Sequence, residues 1–371
     1  MKKAFKRKIL FFIIFLILLE STSRCFLFFY NVRSSYQINK GYYNFQGTFW
    51  EYLKVYRNFI KKYHNEDRVI VRDIFNRQFY IPNLNLELDW IKIRTNSFGM
   101  KEKYLDLQKK DNTYRIICLG SSYTLSGSEG NTFTALLEKK LNEKYKEKKF
   151  EIINAGISGQ GILESFMTFS LNWRMLNPDV IIIDHVLADV WSGAIPFYLK
   201  NYGKITEDKF INYSIKKKFK KYIGVCGVID LIYSKFTPRY NRPTEEALAY
   251  YETLLESLVL LAKGMGGKVA LLSCGIAVDR DHNFDEENHK RKMLELRFPR
   301  FTANAIVHTI EEYNKIMKKV ARKNDVIFFD MSEVVPKDDE HFMDATHRSD
   351  KGNEVFADIL MDKLIASNLF D

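Results

Sequence analysis

Asp344 and His347 stand three residues apart in the run Phe342-Met343-Asp344-Ala345-Thr346-His347. At that spacing a carboxylate can hold an imidazole by one ring nitrogen and leave the other free to take a proton from a hydroxyl. A serine needs such a base to act as a nucleophile near neutral pH. Much earlier in the chain, Gly120-Ser121-Ser122-Tyr123-Thr124 follows directly on the apolar run RIICLG at 115–120. If that run is a strand of a parallel sheet, Ser122 falls at the C-terminal edge, where open α/β folds bind their ligands. Taken singly, each piece is common in surface loops and turns, so order and surroundings must carry the reading.

The elements that would position these residues are legible in outline. Strand-like apolar runs recur at 115–120 (RIICLG), 150–155 (FEIINA), 179–185 (DVIIIDH), 268–274 (KVALLSC) and 325–330 (DVIFFD), enough for one five-stranded sheet. Amphipathic stretches lie between them. In 131–145, Phe133, Leu136, Leu137 and Leu141 recur at helical spacing behind an Asn131 cap. Others span 244–263, ended by Gly264, then 303–323 and 351–366. Alternating strands and helices are the mark of an α/β domain with a parallel sheet.

The gap at 190–243 is longer than a crossover requires and is expected to be an insertion near the substrate side. It carries the basic run Lys216-Lys217-Lys218-Phe219-Lys220-Lys221, which reads either as a solvated face or as a contact for anionic lipid or an acidic polymer.

Four blocks in order make the pattern specific: strand-GSSYT, then NAGISGQG after the second strand, PDVIIIDHVLAD in the third, and DATHRSDKGN before the last helix. Together they resemble the SGNH (GDSL-type) serine hydrolases over about residues 91–368. Upstream, Arg94-x-Asn96-Ser97-x-Gly99 resembles a lead-in found in membrane-anchored members. The resemblance implies a three-layer α/β/α, flavodoxin-like fold with a five-stranded parallel sheet and no cofactor. It implies Ser122 as nucleophile, His347 as general base and Asp344 as its orienting carboxylate, with the backbone N–H groups of Ser122 and Gly159 forming the oxyanion hole.

Two departures stand out. Ser121 replaces the Asp that commonly precedes the family's serine, and Ala188 replaces the Asn that gives the oxyanion a side-chain donor, although Asp189 follows it. Losing one such donor costs about 10² to 10³ in kcat. Either a neighbour supplies the donor, or catalysis is slow, or the site serves a different acyl-transfer step.

The N-terminus addresses compartment. Residues 1–8 (MKKAFKRK) hold five basic side chains and 9–19 (ILFFIIFLILL) are wholly apolar, the form of an export signal whose basic flank stays in the cytoplasm. Two outcomes compete: cleavage near Ser21-Thr22-Ser23, or retention of 1–30 as a transmembrane helix in which Glu20 and Arg24 pair at i, i+4 and CFLFFY at 25–30 completes the span. Retention is the expected one. It gives a single-pass membrane protein with its catalytic domain extracytoplasmic. The expected division is then anchor at 1–30, juxtamembrane stalk at 31–110 and catalytic domain at 111–371.

The formal charge of +11 points to anionic surroundings, and export argues against nucleic acid as the partner. Cys25, Cys118, Cys226 and Cys274 are scattered without zinc spacing, and Cys118 and Cys274 sit in apolar runs as buried thiols. No metal site, nucleotide loop or dinucleotide fingerprint competes with the serine reading. Nor do the other histidines show partner spacing, and His185 is read as structural.

Three functions fit. The first is an esterase that removes acyl groups from a carbohydrate, lipid or polymer. The second is an O-acyltransferase modifying a surface polysaccharide through the same triad, which would add a multi-spanning membrane acyltransferase as partner. The third, motivated by Ala188, is a non-catalytic binding protein on a hydrolase scaffold.

Overall fold

Strands of the central sheet are apolar along their length because helices cover both faces, so neither alternate set of side chains meets water. The computed structural model describes residues 14–30, 32–33, 48–54, 70–72, 78–80, 83, 85–88, 91–101, 105–190, 228, 239–279, 285–298 and 300–370. Two short antiparallel hairpins come first, β1 (Ile70–Arg72) with β2 (Gln78–Tyr80) and β3 (Asn85–Leu88) with β4 (Ile91–Arg94). Sequence periodicity did not reveal them, since strands of three or four residues are too short for an alternating pattern to register.

The main sheet holds β5 (Thr113–Gly120), β6 (Lys149–Gly156), β7 (Val180–Asp184), β8 (Lys268–Leu272) and β9 (Ile327–Phe329), in the order β6-β5-β7-β8-β9. All four pairings are parallel. The chain steps outward from β5 to β6 and then returns to the other side of β5, which makes β5 a topological switch point. Register fixes what gathers there: Gly120, the last residue of β5, pairs with Gly156 on one side and Asp184 on the other. The loops after β5, β6 and β7 therefore leave the sheet level with one another.

Seven named helices follow among the described residues: α1 (Ser122–Leu125), α2 (Phe133–Lys144), α3 (Ile162–Leu171), α4 (Glu245–Gly264), α5 (Asp285–Arg297), α6 (Ala303–Asn324) and α7 (Asp350–Ala366). Ile117, Leu119, Ile181, Ile183 and Leu271 face one core, shared with Leu255 and Leu258 of α4 and Ile306, Ile310 and Met317 of α6. Alternate residues Ile116, Cys118, Ile182, Ala270 and Leu272 face the other, with Phe133 and Leu137 of α2 and Phe356 and Leu360 of α7. The result is a three-layer α/β/α domain.

Local chemistry moves some expected boundaries. Thr132, not Asn131, caps α2: its hydroxyl accepts from Ala135 N–H at 3.2 Å, while the Asn131 amide turns to Ser128 Oγ at 2.8 Å. Gly264 is the last residue of α4 instead of its stop. Ser273 and Cys274 lie beyond β8, and β9 is shorter than its apolar run. Cys118 and Cys274 are buried, and burial pushes both thiols up, away from reactivity. Helix α5 was not anticipated, because its residues (DEENHKRKMLELR) carry little apolar periodicity.

Residues 14–30 are helical. Among the described residues no helix is long and apolar enough to cross a membrane; the start of the expected anchor, 1–13, lies outside the described set. The lysine run at 216–221 and most of the expected insertion also lie outside it.

Candidate active site

Ser122 opens α1 immediately after β5. Ser121, buried, caps this turn, its hydroxyl accepting from Tyr123 N–H at 3.4 Å. That is the structural use of the residue that departs from the resembled family's Asp. Gly120 leaves the strand where any Cβ would meet the Thr124 hydroxyl at 1.8 Å and the Asp184 carbonyl at 2.9 Å, so only glycine lets α1 pack this tightly.

His347 and Asp344 approach from the loop before α7. Ser122 Oγ lies 2.9 Å from His347 Nε2, and His347 Nδ1 lies 2.7 Å from Asp344 Oδ2. Asp344 Oδ1 meanwhile accepts from the backbone N–H groups of Thr346 (2.5 Å) and His347 (2.8 Å). Burial pushes the Asp344 carboxyl up, but His347 and these donors outweigh it and hold the group below its ordinary value. A carboxylate fixed at Nδ1 favours the tautomer with a proton there and a lone pair on Nε2, facing the serine.

Neighbouring residues clamp this loop to α1. Buried Arg348 lies 3.9 Å from the ring centroids of both Tyr123 and Phe356; its Nη2 donates to the Tyr123 carbonyl at 3.2 Å and its Nε to Asn353 Oδ1 at 2.9 Å. The Asn353 amide donates in turn to the Ser126 carbonyl at 2.9 Å. From the lead-in, buried Lys101 donates to the carbonyls of Leu125 (3.1 Å) and Gly127 (2.8 Å). Thr124 Oγ1 donates to Asp184 Oδ2 at 2.9 Å, tying α1 to β7. Asp184 Oδ1 has no partner among the described residues. Burial pushes this carboxyl up to about 6, with Arg348 and the Thr124 hydroxyl pulling the other way.

Gly159 lies in the turn after β6. Gln160 N–H donates to the Ile157 carbonyl at 3.1 Å, and Gly159 takes φ +75°, which a β-turn of this kind assigns to glycine. Ile157 N–H donates to the Gly120 carbonyl at 3.3 Å, so this turn departs alongside the Ser122 turn. Asp189 secures its far end, Oδ1 accepting from Ile162 N–H at 2.8 Å. Behind it, His185 is fully buried with Nε2 2.7 Å from Ser165 Oγ, a structural position away from solvent. Ala188 is half-buried in the loop after β7 and offers only a methyl group.

The serine reading missed Arg297, the last residue of α5, whose Nη2 lies 3.4 Å from Ser122 Oγ. It missed Arg348, Asn353 and Thr124 as braces, although all three lie inside or beside the blocks that carry the resemblance. Among the described residues there is no cluster of side chains able to hold a metal ion.

No family model matches the chain, and no curated protein matches it. Solved structures similar to it include LAE5, an alpha/beta hydrolase from the metagenome of Lake Arreo (16% identity, covering 70% of this chain and 96% of that one, TM-score 0.44). Others are a lipase/acylhydrolase from Enterococcus faecalis (15%, 68% and 95%, TM-score 0.41) and a GDSL-like lipase from Bacteroides thetaiotaomicron (17%, 71% and 93%, TM-score 0.40). At such distances the chemistry has to be read from this chain's own side chains.

Proposed function

We propose that the protein is a membrane-tethered, extracytoplasmic serine esterase that removes acyl groups from a carbohydrate, lipid or polymer. One observation carries the reading: an unbroken Ser122–His347–Asp344 relay, 2.9 and 2.7 Å long, at the switch point of a parallel sheet. A partly exposed serine with a base held by a buried carboxylate is costly to assemble for binding alone, which favours catalysis over a binding scaffold.

In the proposed reaction His347 Nε2 takes the Ser122 proton as Oγ bonds to the ester carbonyl carbon, and the carbonyl π pair moves onto oxygen. Backbone N–H groups of Ser122 and Gly159 donate to that oxyanion. Collapse re-forms the carbonyl and breaks the bond to the alcohol, which leaves with the proton from His347. Water repeats the sequence and frees the acid. A sugar hydroxyl in place of water would give acyl transfer with the same residues, so the acceptor, not the triad, separates the two.

Support for the tether comes from the N-terminal helix. Ile14 to Leu19 and Phe26, Phe28 and Phe29 are exposed, and the charges that interrupt this apolar surface neutralise one another, Arg24 Nε lying 2.7 Å from Glu20 Oε1.

The test is hydrolysis of a panel of short-chain acyl esters by the purified protein beside Ser122→Ala. Turnover by wild type and its loss in the variant, at equal folding, is the expected outcome. Equal turnover in both would remove Ser122 from the chemistry.

A further inference from the structure

We infer that Arg297 is a catalytic residue, supplying from α5 the side-chain oxyanion donor that the loop after β7, with Ala188, cannot. The inference rests on the esterase reading and deepens it. Its starting point is the approach of Arg297 Nη2 to Ser122 Oγ, 3.4 Å across 175 residues of sequence. Oγ becomes one substituent of the tetrahedral carbon and the oxyanion another. Two oxygens on one carbon lie closer together than a hydrogen bond is long, so a donor within reach of the first is in the neighbourhood of the second.

The placement is built. Leu294, one turn before Arg297, is buried at 1% exposure, as is Phe298, which follows it. Phe298 N–H donates to the Leu294 carbonyl at 2.8 Å and Phe301 N–H to the Phe298 carbonyl at 2.9 Å. Glu295 Oε1 accepts from Ala303 N–H at 3.0 Å, joining the end of α5 to the start of α6. A cation at the C-terminal end of a helix also sits where the helix dipole favours it. Both sides of the arginine are thus anchored in the core while its guanidinium reaches the nucleophile.

The length of the contact fits a role in the transition state. In the resting site Oγ is a neutral hydroxyl already engaged with His347, a weak acceptor for a guanidinium. As the carbonyl π pair moves onto oxygen, a full negative charge develops beside the same cation, and the interaction strengthens there. Arg297 donates hydrogen bonds and charge, while His347 alone moves the proton. An interaction that strengthens only with the developing charge raises kcat and leaves KM nearly unchanged.

The experiment compares wild type, Arg297→Gln and Arg297→Lys on a neutral ester, p-nitrophenyl acetate, together with the rate at which an alkyl fluorophosphonate labels Ser122. The Gln side chain ends two bonds short of the guanidinium Nη groups, so its amide falls short of the oxyanion, and R297Q should lower kcat by about a hundredfold with KM within about twofold and slow labelling in parallel. R297K, retaining charge but not the planar fork, should keep part of the rate. Wild type that hydrolyses and labels, with R297Q unchanged in kcat, overturns this inference and leaves the esterase standing. So does a loss confined to KM for esters with a carboxylate in the acyl group, which would make Arg297 a receptor for substrate charge. Wild type that neither hydrolyses nor labels overturns both readings.

Discussion

At Ala188 and Arg297 one chemical requirement meets two elements. An oxyanion in a water-poor site needs fixed donors, and the loop after β7 ends on a methyl group at the position where the resembled family carries an amide. If Arg297 fills that need, the two positions are energetically coupled, and a double-mutant cycle exposes the coupling. In the wild-type background Ala188→Asn should change kcat on a neutral ester by less than about threefold, because the hole already has its side-chain donor. In the R297Q background the same change should recover about tenfold, the Asn amide supplying the donor that the shortened side chain no longer gives. Additive effects in the two backgrounds would show that the residues act on different atoms. The contrast with the Asp344–His347 pair is instructive. Three residues of sequence separation place a carboxylate and an imidazole together by local geometry, and the structure has them 2.7 Å apart. Arg297 meets Ser122 only because α5 docks against α6, and no pattern within DEENHKRKMLELR announces that contact.

Elements explain why the nucleophile turn is rigid. Three strands end level at Gly120, Gly156 and Asp184, and each contributes a tie: Thr124 to Asp184, Ile157 to Gly120, and Asp189 to Ile162. The main strands could be foreseen from five apolar runs, since a sheet covered on both faces demands them, whereas their order could not be read from those runs. The ties could not, because a buried Asp at the end of a strand and an Arg after a histidine acquire their roles only when distant loops converge. Asp184 carries a consequence for stability. Its carboxyl rises from the ordinary 3.8 to about 6 in the folded protein, chiefly through burial. Between those values the folded state holds more protons than the unfolded, so the stability this group contributes is greatest at low pH, falls as pH rises through about 4 to 6, and is level above that. Asp184→Asn removes the titration; the pull of Arg348 on the charged form already shapes the value near 6, so what remains is a pH-independent offset from exchanging a neutral carboxyl for an amide. The difference in Tm between wild type and variant should therefore shift in favour of the variant as pH rises from 4 to 7, whatever that offset is. A difference that stays flat over this range would mean Asp184 ionises alike in both states.

On the scale of the whole molecule, a domain that packs both faces of its sheet is joined to a helix that packs almost nothing. Ile17 and Leu18 are 59% and 60% exposed, whereas the sheet residues Ile117 and Ile181 are 0% exposed. Apolar surface of that extent is stable only against lipid, detergent or another protein. Lipid is favoured by the basic flank at 1–8 and the pairing of Glu20 with Arg24, since a lone charge at the centre of a membrane helix costs about 2.5 to 3.5 kcal/mol. Retention and cleavage of this segment then differ in what is measured. If the helix is kept, the protein in isolated membranes has the mass of the intact chain and resists high salt and carbonate. Detergent alone releases it, and protease added to the outer side removes the catalytic domain. A chain beginning at residue 31 should remain in solution with an unchanged kcat on a soluble ester, because no contact described for the site comes from the helix at 14–30. Recovery of a soluble, exported protein that starts after Ser23 would replace the tether with a cleaved signal and leave the site chemistry intact. Full-length protein whose catalytic domain is shielded from outside protease like a cytoplasmic marker would reverse the orientation, and with it the choice of an extracytoplasmic acyl ester as substrate.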